Sequence, residues 1–409
     1  MLSSQPWLAV GVDAVDEVLV GTASILVRRS PLVSIAHDHR ASTGRHLAFR
    51  IDVVLVLATL IVAAVGVVMV YSATRDKLAL AGFSSHYYLN RQAGFVVVGF
   101  IVMTALALVD YHWLEHASAV LYVGIILALL AMFAIGHSQQ GATRWIGFGP
   151  FQFQPSAFAT LVEIVIVATF CARRPQGIDR TDLVKVLGLC AVPILLVVKQ
   201  PDLGSAIIMC VVLLVMLVVA GIPNRYLVLL VIAAAAGAFA MAHFGLLKHY
   251  QVARITSFLN QGNNAQTASY NLAQSKAAIG HGGFWGTGLF KGAQTNLSYV
   301  PEQQTDFIFS AVGEQLGFVG SASVILIIGI LCWRILRAAQ LARDSFGRLL
   351  ATGCFTLIAF SAFENAGMTM GIMPIAGIPL PFLSYGGSAT IAFFAAVGIA
   401  LSVNLHHQR

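Results

Sequence analysis

Tyr299-Val300-Pro301-Glu302-Gln303-Gln304-Thr305-Asp306-Phe307-Ile308-Phe309-Ser310, running on through Gly313, Glu314 and Gly317, is the stretch whose reading decides the fold. It marks the place where a long polar, glycine-rich segment meets an apolar helix. Two carboxylates, Glu302 and Asp306, therefore fall at a membrane interface, where charge is costly and by default functional. The chain before this stretch builds a bilayer-embedded body. Most of the chain beyond it builds the other wall of the same cavity.

The composition requires such a body. Of 409 residues, 58% are hydrophobic and only 10% charged, and the mean hydropathy is +0.83. A soluble chain of this length could not solvate that surface, so a polytopic membrane protein is expected. The formal charge of +7 reads as membrane topology rather than nucleic-acid binding, because most basic residues sit in short loops beside hydrophobic segments. Cys171, Cys190, Cys210, Cys332 and Cys354 lie in or near apolar runs without a C-x-x-C pair. They read as small packing residues, with neither a disulfide frame nor a metal site. The first long apolar run starts near Ile51, too late and too long for a cleavable signal. Residues 1–49 are expected to form an N-terminal cytoplasmic extension, as a surface helix or a tail. His37-Asp38-His39 within it lacks the further ligands of a metal site.

Apolar runs of bilayer-spanning length fall near 51–72, 93–110, 117–136, 155–172, 183–199, 203–222, 225–245, 306–334, 348–370 and 384–405. The expectation is an all-α polytopic membrane protein with about ten transmembrane helices. With both termini inside, 15 of the 24 Lys and Arg residues face the cytoplasm, as the positive-inside rule asks. The outward side then carries the information. Its 137–154 loop holds Arg144-Trp145 and ends in Gln154-Pro155-Ser156. The large extracytoplasmic loop, 246–305 between helices 7 and 8, is long enough to be functional. Its Gly280-His281-Gly282-Gly283 and Gly286-Thr287-Gly288 run has no strand before it, so a hinge or a close backbone approach is expected rather than a dinucleotide loop. The 371–388 stretch is too broken by Pro and Gly to span. Such backbone survives at membrane depth only when buried in protein or lining a wet cavity, so a re-entrant segment is expected before helix 10.

Asp306 admits two compatible roles, helix N-cap and general base in a partly desolvated cavity. Glu302 could hold a substrate amide or cation, or decorate the first helical turn. Arg254, Lys276, Lys291, Arg144 and Lys199 are cations on the same side, and a phosphate near hydrocarbon needs such partners. Arg254 and Lys276 rank first, since apolar residues flank them. Asp202, after Gln200-Pro201, reads as a helix cap or as a partner for one of these cations. Glu163 and Glu364 lie within spans and should face the bundle interior.

Gln154-Pro155-Ser156, Gln200-Pro201-Asp202-Leu203-Gly204, Gln274-Ser275-Lys276 leading into Ala278-Ile279-Gly280, Pro301-Glu302 with Thr305-Asp306-Phe307-Ile308-Phe309, and Pro379-Leu380-Pro381 with Ser384-Tyr385-Gly386-Gly387-Ser388 occur together and in order. In this the chain resembles the SEDS family (shape, elongation, division, sporulation), which includes RodA and FtsW. The resemblance covers about residues 50–405, making 50–409 a SEDS-type transmembrane domain. It implies a peptidoglycan glycosyltransferase of the bacterial cytoplasmic membrane, with its active site facing outward. Such an enzyme polymerises lipid II onto a nascent glycan strand with inversion, releasing undecaprenyl diphosphate. The family's essential aspartate matches Asp306, the base for the acceptor GlcNAc 4-hydroxyl. Arg254, Lys276, Glu302, Arg144, Gln274 and Ser384 are the candidates for substrate and diphosphate binding. Asp202, Gln154 and Glu364 are structural or cavity-lining, and a Mg or Mn ion near Asp306 is a further expectation.

A single-pass class B penicillin-binding protein, a transpeptidase, is the expected partner, within the elongation or division machinery. Gly377-Ile378-Pro379-Leu380-Pro381 and Gly292-Ala293-Gln294-Thr295 look closer to RodA than to FtsW, which implies elongation and cell shape. One departure stands out: where the family has a glutamate and, three residues on, a lysine, this chain has Ala157 and Thr160. Both halves of an ion pair are absent, so no unpaired charge is left buried. Glu163 is a poor stand-in, about 9 Å along the helix and turned about 120° from Ala157. The competing readings are a flippase for lipid-linked precursors, which broken helices and intramembrane carboxylates would also suit, and a non-catalytic scaffold for the transpeptidase.

Overall fold

The computed structural model describes residues 51–135, 137–139, 142–148, 151–174, 177–243, 251–254, 258 and 267–406. The extension expected at 1–49 lies outside them. Among the described residues twelve helices occur in chain order: α1 Val53–Leu80, α2 Tyr87–Leu108, α3 His112–Ile135, α4 Pro155–Ala172, α5 Arg180–Lys199, α6 Leu203–Val219, α7 Asn224–His243, α8 Thr267–Gly282, α9 Ala293–Asn296, α10 Ile308–Leu341, α11 Ser345–Met370 and α12 Gly387–His406.

Their starts are written in the sequence as acids that accept orphan backbone N–H groups. Asp52 caps α1, Asp179 α5, Asp202 α6 and Asp344 α11. Asp52 also receives Arg334 of α10 at 2.7 Å, fastening the start of α1 to the far part of α10. Gly371 ends α11 in the left-handed region at φ 79.

Eight of these helices are long and apolar enough to cross a membrane, while Leu203–Val219 and Asn224–Gly237 are shorter apolar helices. A helix occupies most of each of the ten expected runs within the described residues, and eight of these helices are long enough to qualify as spans. α11 and α12 form the centre: Cys354, Leu350, Ile358, Phe394, Ala396 and Val397 are all fully buried. The outer helices leave large apolar side chains exposed, among them Val120 at 75% and Leu195 at 65%. In water that would be a fault; in hydrocarbon it is the solvated surface.

The expectation of an all-helical chain needs one correction. Between α3 and α4 runs a three-stranded antiparallel meander of β1 His137–Gln139, β2 Ala142–Phe148 and β3 Phe151–Phe153. Thr143 pairs with Ser138, and Ile146 with Phe153. β2 is the Ala-Thr-Arg-Trp-Ile-Gly-Phe run, whose β-branched and aromatic residues suit a pleated surface.

The 246–305 segment is not a bare loop either, since it carries α8 and α9. Its glycine run makes the close approach expected of it. α10 is broken at Gly317 (φ 66, ψ −163), and the 283–288 turn fits into the break. Thr287 and Gly288 donate to the carbonyls of Glu314 and Gln315, while Phe318 and Val319 donate to those of Gly283 and Phe284. A Cβ on Gly317 would lie 2.2 Å from the Gly286 nitrogen, so no larger residue fits.

The 371–386 segment between α11 and α12 is irregular, as expected, and buried in protein. Ile378, Leu380, Phe382 and Leu383 are all within 1% of fully buried. Neighbouring elements meet several of its backbone polar groups, Glu364 at the Ala376 amide, Asn365 at the Ile378 carbonyl and Gln304 at the Tyr385 amide, as irregular backbone at this depth requires.

Candidate active site

The segment that carries Asp306 is tied to α11 and the broken segment after it at three points, through Asn365, Ser384 and Tyr385. Asn365 Nδ2, on α11, donates to the carbonyls of both Asp306 and Ile378 at 2.8 Å. Ser384 Oγ donates to the Thr305 carbonyl at 2.6 Å and accepts from Leu380 N at 2.8 Å. The Tyr385 amide donates to the Gln304 carbonyl at 2.8 Å. Gln303 Nε2 reaches Thr295 Oγ1 and Ser310 Oγ. The residues on either side of Asp306 are thus fixed, and its carboxylate is left half-buried.

That carboxylate meets Arg254 at Gly377. A Cβ on Gly377 would lie 3.1 Å from Arg254 Nη1 and 3.2 Å from Asp306 Oδ2. Gly377 takes φ +73, a left-handed conformation that removes any side chain from the space the two charges share. Arg254 Nη1 donates to the Ala376 carbonyl at 3.3 Å, and the Ala376 amide donates to Glu364 Oε1 at 3.3 Å. Glu364 is buried, its second oxygen has no hydrogen-bond partner, and Asp306 and Arg254 are its charged neighbours. One glycine turn therefore gathers a half-buried acid, a guanidinium and a second, buried acid.

Asp306 is not the N-cap of α10. α10 begins at Ile308, and its capping position is Phe307. Asp306 sits in a turn, its amide bonded to the Glu302 carbonyl at 3.2 Å. Glu302 likewise lies outside any helical turn, at φ 51, and its Oε2 accepts from Gln304 Nε2 at 3.3 Å.

The other expected residues divide. Asp202 is the α6 cap, and its Oδ2 also accepts from Ser156 Oγ at 2.7 Å, Ser205 Oγ at 2.8 Å and Gln154 Nε2 at 3.2 Å. The Gln-Pro-Ser and Gln-Pro-Asp motifs are therefore two halves of one buried knot. Ser384, a substrate-binding candidate, has its hydroxyl committed at both ends to backbone and works as a clamp. Ser275 is fully buried and donates to the Thr369 carbonyl, so the Gln-Ser-Lys motif docks α8 on α11. Gln274 is half-buried there, and Lys276 is exposed. Lys291 is exposed as well, and Lys199 lies 5.8 Å from the Phe133 ring centre. The side chain of Arg144 lies outside the described residues.

Glu163 faces the interior as expected. It lies in a cleft with Tyr122, Cys190 and Pro193, where the weak donor Cys190 thiol is the polar group nearest its buried carboxyl. The cysteines are all free, four of them buried. Asn365 belongs to none of the sequence motifs, although a polar pair, Glu364-Asn365, inside a span was the available signal. Glu314 was legible only as part of the opening stretch. It is fully buried and accepts from the Gln294 and Thr295 amides and from Thr295 Oγ1, which caps α9.

Among the described residues no group of three or more His, Cys, Asp or Glu could hold a metal ion. At the Gly377 corner a guanidinium stands with the two carboxylates.

A family model described as "Cell cycle protein", covering FtsW, RodA and SpoVE, matches residues 52–409. The chain is 36% identical to a probable peptidoglycan glycosyltransferase FtsW of Geobacter sp. (strain M18), over 86% of this chain and 96% of that one. It is 35% identical to stage V sporulation protein E of Bacillus subtilis, over 87% and 98%. It is also 35% identical to the peptidoglycan glycosyltransferase MrdB of Escherichia coli, over 78% and 86%. These values do not separate the RodA-like from the FtsW-like side. Among solved structures, a chain of a peptidoglycan synthase complex aligns with TM-score 0.74 at 27% identity, covering 88% of this chain and 99% of that one. Rod shape determining protein RodA of Thermus thermophilus aligns at 0.65 and 27%, covering 88% and 98%.

Proposed function

The chain belongs to the FtsW/RodA/SpoVE family of cell cycle proteins, and on that premise we propose that it is a peptidoglycan glycosyltransferase whose base is Asp306. The observation that carries the reading is the Gly377 corner, where a half-buried carboxylate faces an arginine across a glycine. Glycosyl transfer with inversion needs a base on one face of the anomeric carbon and charge stabilisation for the leaving group on the other. Asp306 removes the proton of the acceptor 4-hydroxyl as that oxygen attacks the donor's anomeric carbon. The bond to the diphosphate breaks, and undecaprenyl diphosphate departs with its electron pair. Arg254, across Gly377 from Asp306, sets a positive charge beside the group that takes the proton. Asn365 and Ser384 are positioning residues that fix the backbone at Asp306 and Thr305. A Mg or Mn ion would have to arrive with the substrate's phosphates, as Mg commonly does when one or two carboxylates complete its shell.

The protein is an integral inner-membrane protein, and the proposal places the site on the outer side, where lipid II and the growing strand meet it. A class B penicillin-binding protein is the proposed partner, and elongation the proposed setting. The experiment is direct. Purified full-length protein with its transpeptidase, given lipid II, should yield a ladder of glycan strands. Movement of labelled lipid II across vesicles without any polymer would instead favour the flippase reading.

A further inference from the structure

Arg91, in the second turn of α2, has no acid to pair with among the described residues. Arg75, Arg173, Arg174 and Arg334 each pair with one, at Asp76, Glu115, Asp182 and Asp52. Arg91 is half-buried and turns instead to tyrosines. Its Nη1 donates to Tyr87 Oη at 2.7 Å, its guanidinium lies 4.9 Å from the Tyr87 ring centre, and its charge acts on the Tyr385 phenol.

Its position sharpens the point. The first turn of a helix carries partial positive charge and favours anions, so a cation close to it is at the wrong end. The α2 N-cap, His86, makes no side-chain capping bond that would offset this. A guanidinium, a helix N-terminus and tyrosine hydroxyls make a place built for an incoming anion. Tyr385 keeps its phenol proton as a donor, its pKa raised chiefly by burial with Arg91 working against it.

The cluster also adjoins the Asp306 segment. Tyr385 donates its amide to the Gln304 carbonyl, and Gln304 is two residues from Asp306, at most about 7.6 Å along the chain. Tyr88 stands edge-on to Tyr385, ring centres 4.8 Å apart at 90°.

We infer that Arg91, with Tyr87, Tyr385 and the N-terminus of α2, is the subsite that receives the diphosphate of a polyprenyl-linked sugar. The inference rests on the polymerase reading for its substrate. It divides labour between two arginines: Arg254 stands beside the base and Arg91 takes the leaving group.

The test uses full-length protein in detergent carrying Asp306→Ala, so that binding is read without turnover, and geranylgeranyl diphosphate as the probe. The probe should bind, Arg91→Gln should weaken it about tenfold or more, and Arg91→Lys should recover part of the loss. Tyr385→Phe should weaken it less, and excess phosphatidylglycerol should not displace it. Unchanged binding by Arg91→Gln would overturn the inference, as would equal displacement by phosphatidylglycerol, which marks a general anionic-lipid site. If Arg91→Gln does not fold, the Arg91→Lys and Tyr385→Phe variants carry the comparison. The two readings fail separately. Glycan synthesis by Arg91→Gln at a normal KM for lipid II removes this subsite and leaves the polymerase. Arg91-dependent diphosphate binding by a protein that never makes glycan keeps the subsite and removes the polymerase.

Discussion

Replacing Gly377 by alanine is the smallest change that should separate catalysis from folding. The residue sits at φ +73, a conformation that costs an L-residue about 1–2 kcal/mol. That strain bears on stability and is survivable. The added methyl, however, would lie 3.1 Å from Arg254 Nη1 and 3.2 Å from Asp306 Oδ2. Ordinary carbon contacts begin near 3.5 Å, so each group must retreat by a few tenths of an ångström, and in different directions. Both are ends of side chains and can yield without unfolding anything. Yet displacement of about 1 Å at a reacting group costs on the order of a hundredfold in rate, and about half that displacement should still cost about tenfold.

The assay is lipid II polymerisation by purified Gly377→Ala, beside thermal unfolding in the same detergent. Gly398→Ala serves as the contrast. Its methyl would meet the Met103 carbonyl at 2.6 Å and the Met103 Cα at 2.9 Å, an overpacking that should cost stability by about 1–3 kcal/mol without touching the site. If Gly377→Ala polymerises at the wild-type rate, the geometry of this corner is not catalytic and the reasoning fails.

Asn365→Ala removes both bonds that hold Asp306 and Ile378 and leaves two carbonyls without that donor, so stability should fall by about 1–3 kcal/mol. Polymerisation should fall further than the melting curve alone explains. Asp202→Ala removes a cap and the acceptor of the Ser156, Ser205 and Gln154 bonds; about 0.5–2 kcal/mol is expected from the cap alone, read as a lower melting temperature with near-normal activity in the surviving protein. Glu163→Leu should leave stability unchanged or higher and activity intact, because its buried carboxyl has at most the weak Cys190 thiol as a partner to lose. A marked drop in polymerisation for that variant would show that the acid does substitute for the family's missing ion pair.

The legible parts of this chain were those with a period or a motif. The apolar runs marked every long helix, because a bilayer leaves the backbone no other way to bury its polar groups. Pro374, Gly377, Pro379 and Pro381 announced irregular backbone in the segment after α11, and the burial of Leu380, Phe382 and Leu383 follows from where that backbone must hide. Arg254 and Glu364 could be picked out as charges in apolar company, but their meeting with Asp306 could not. It depends on a left-handed glycine and a turn, and no spacing rule relates residue 254 to residue 377.

Asp202 could be read as a helix cap, but that the Gln-Pro-Ser and Gln-Pro-Asp motifs form one structural knot could not. Their partners are 46 residues apart in the Ser156–Asp202 bond, beyond what local pattern reports. The β1–β3 meander was missed because its strands are short and come after a long helix, where the apolar signal of α3 dominates. Arg91 carried no signal of its own in the sequence, because its tyrosine neighbours come from two places in the chain, Tyr87 and the distant Tyr385.

What the Asp306 carboxylate does is the question on which all of this turns. Asp306→Asn keeps the shape, removes the base and should leave the Asn365 bond to the backbone carbonyl in place. Purified with the transpeptidase and given lipid II, this variant should bind substrate and make no glycan strand while the wild type makes a ladder. Glycan made by Asp306→Asn at the wild-type rate would contradict the assignment of this acid as the base.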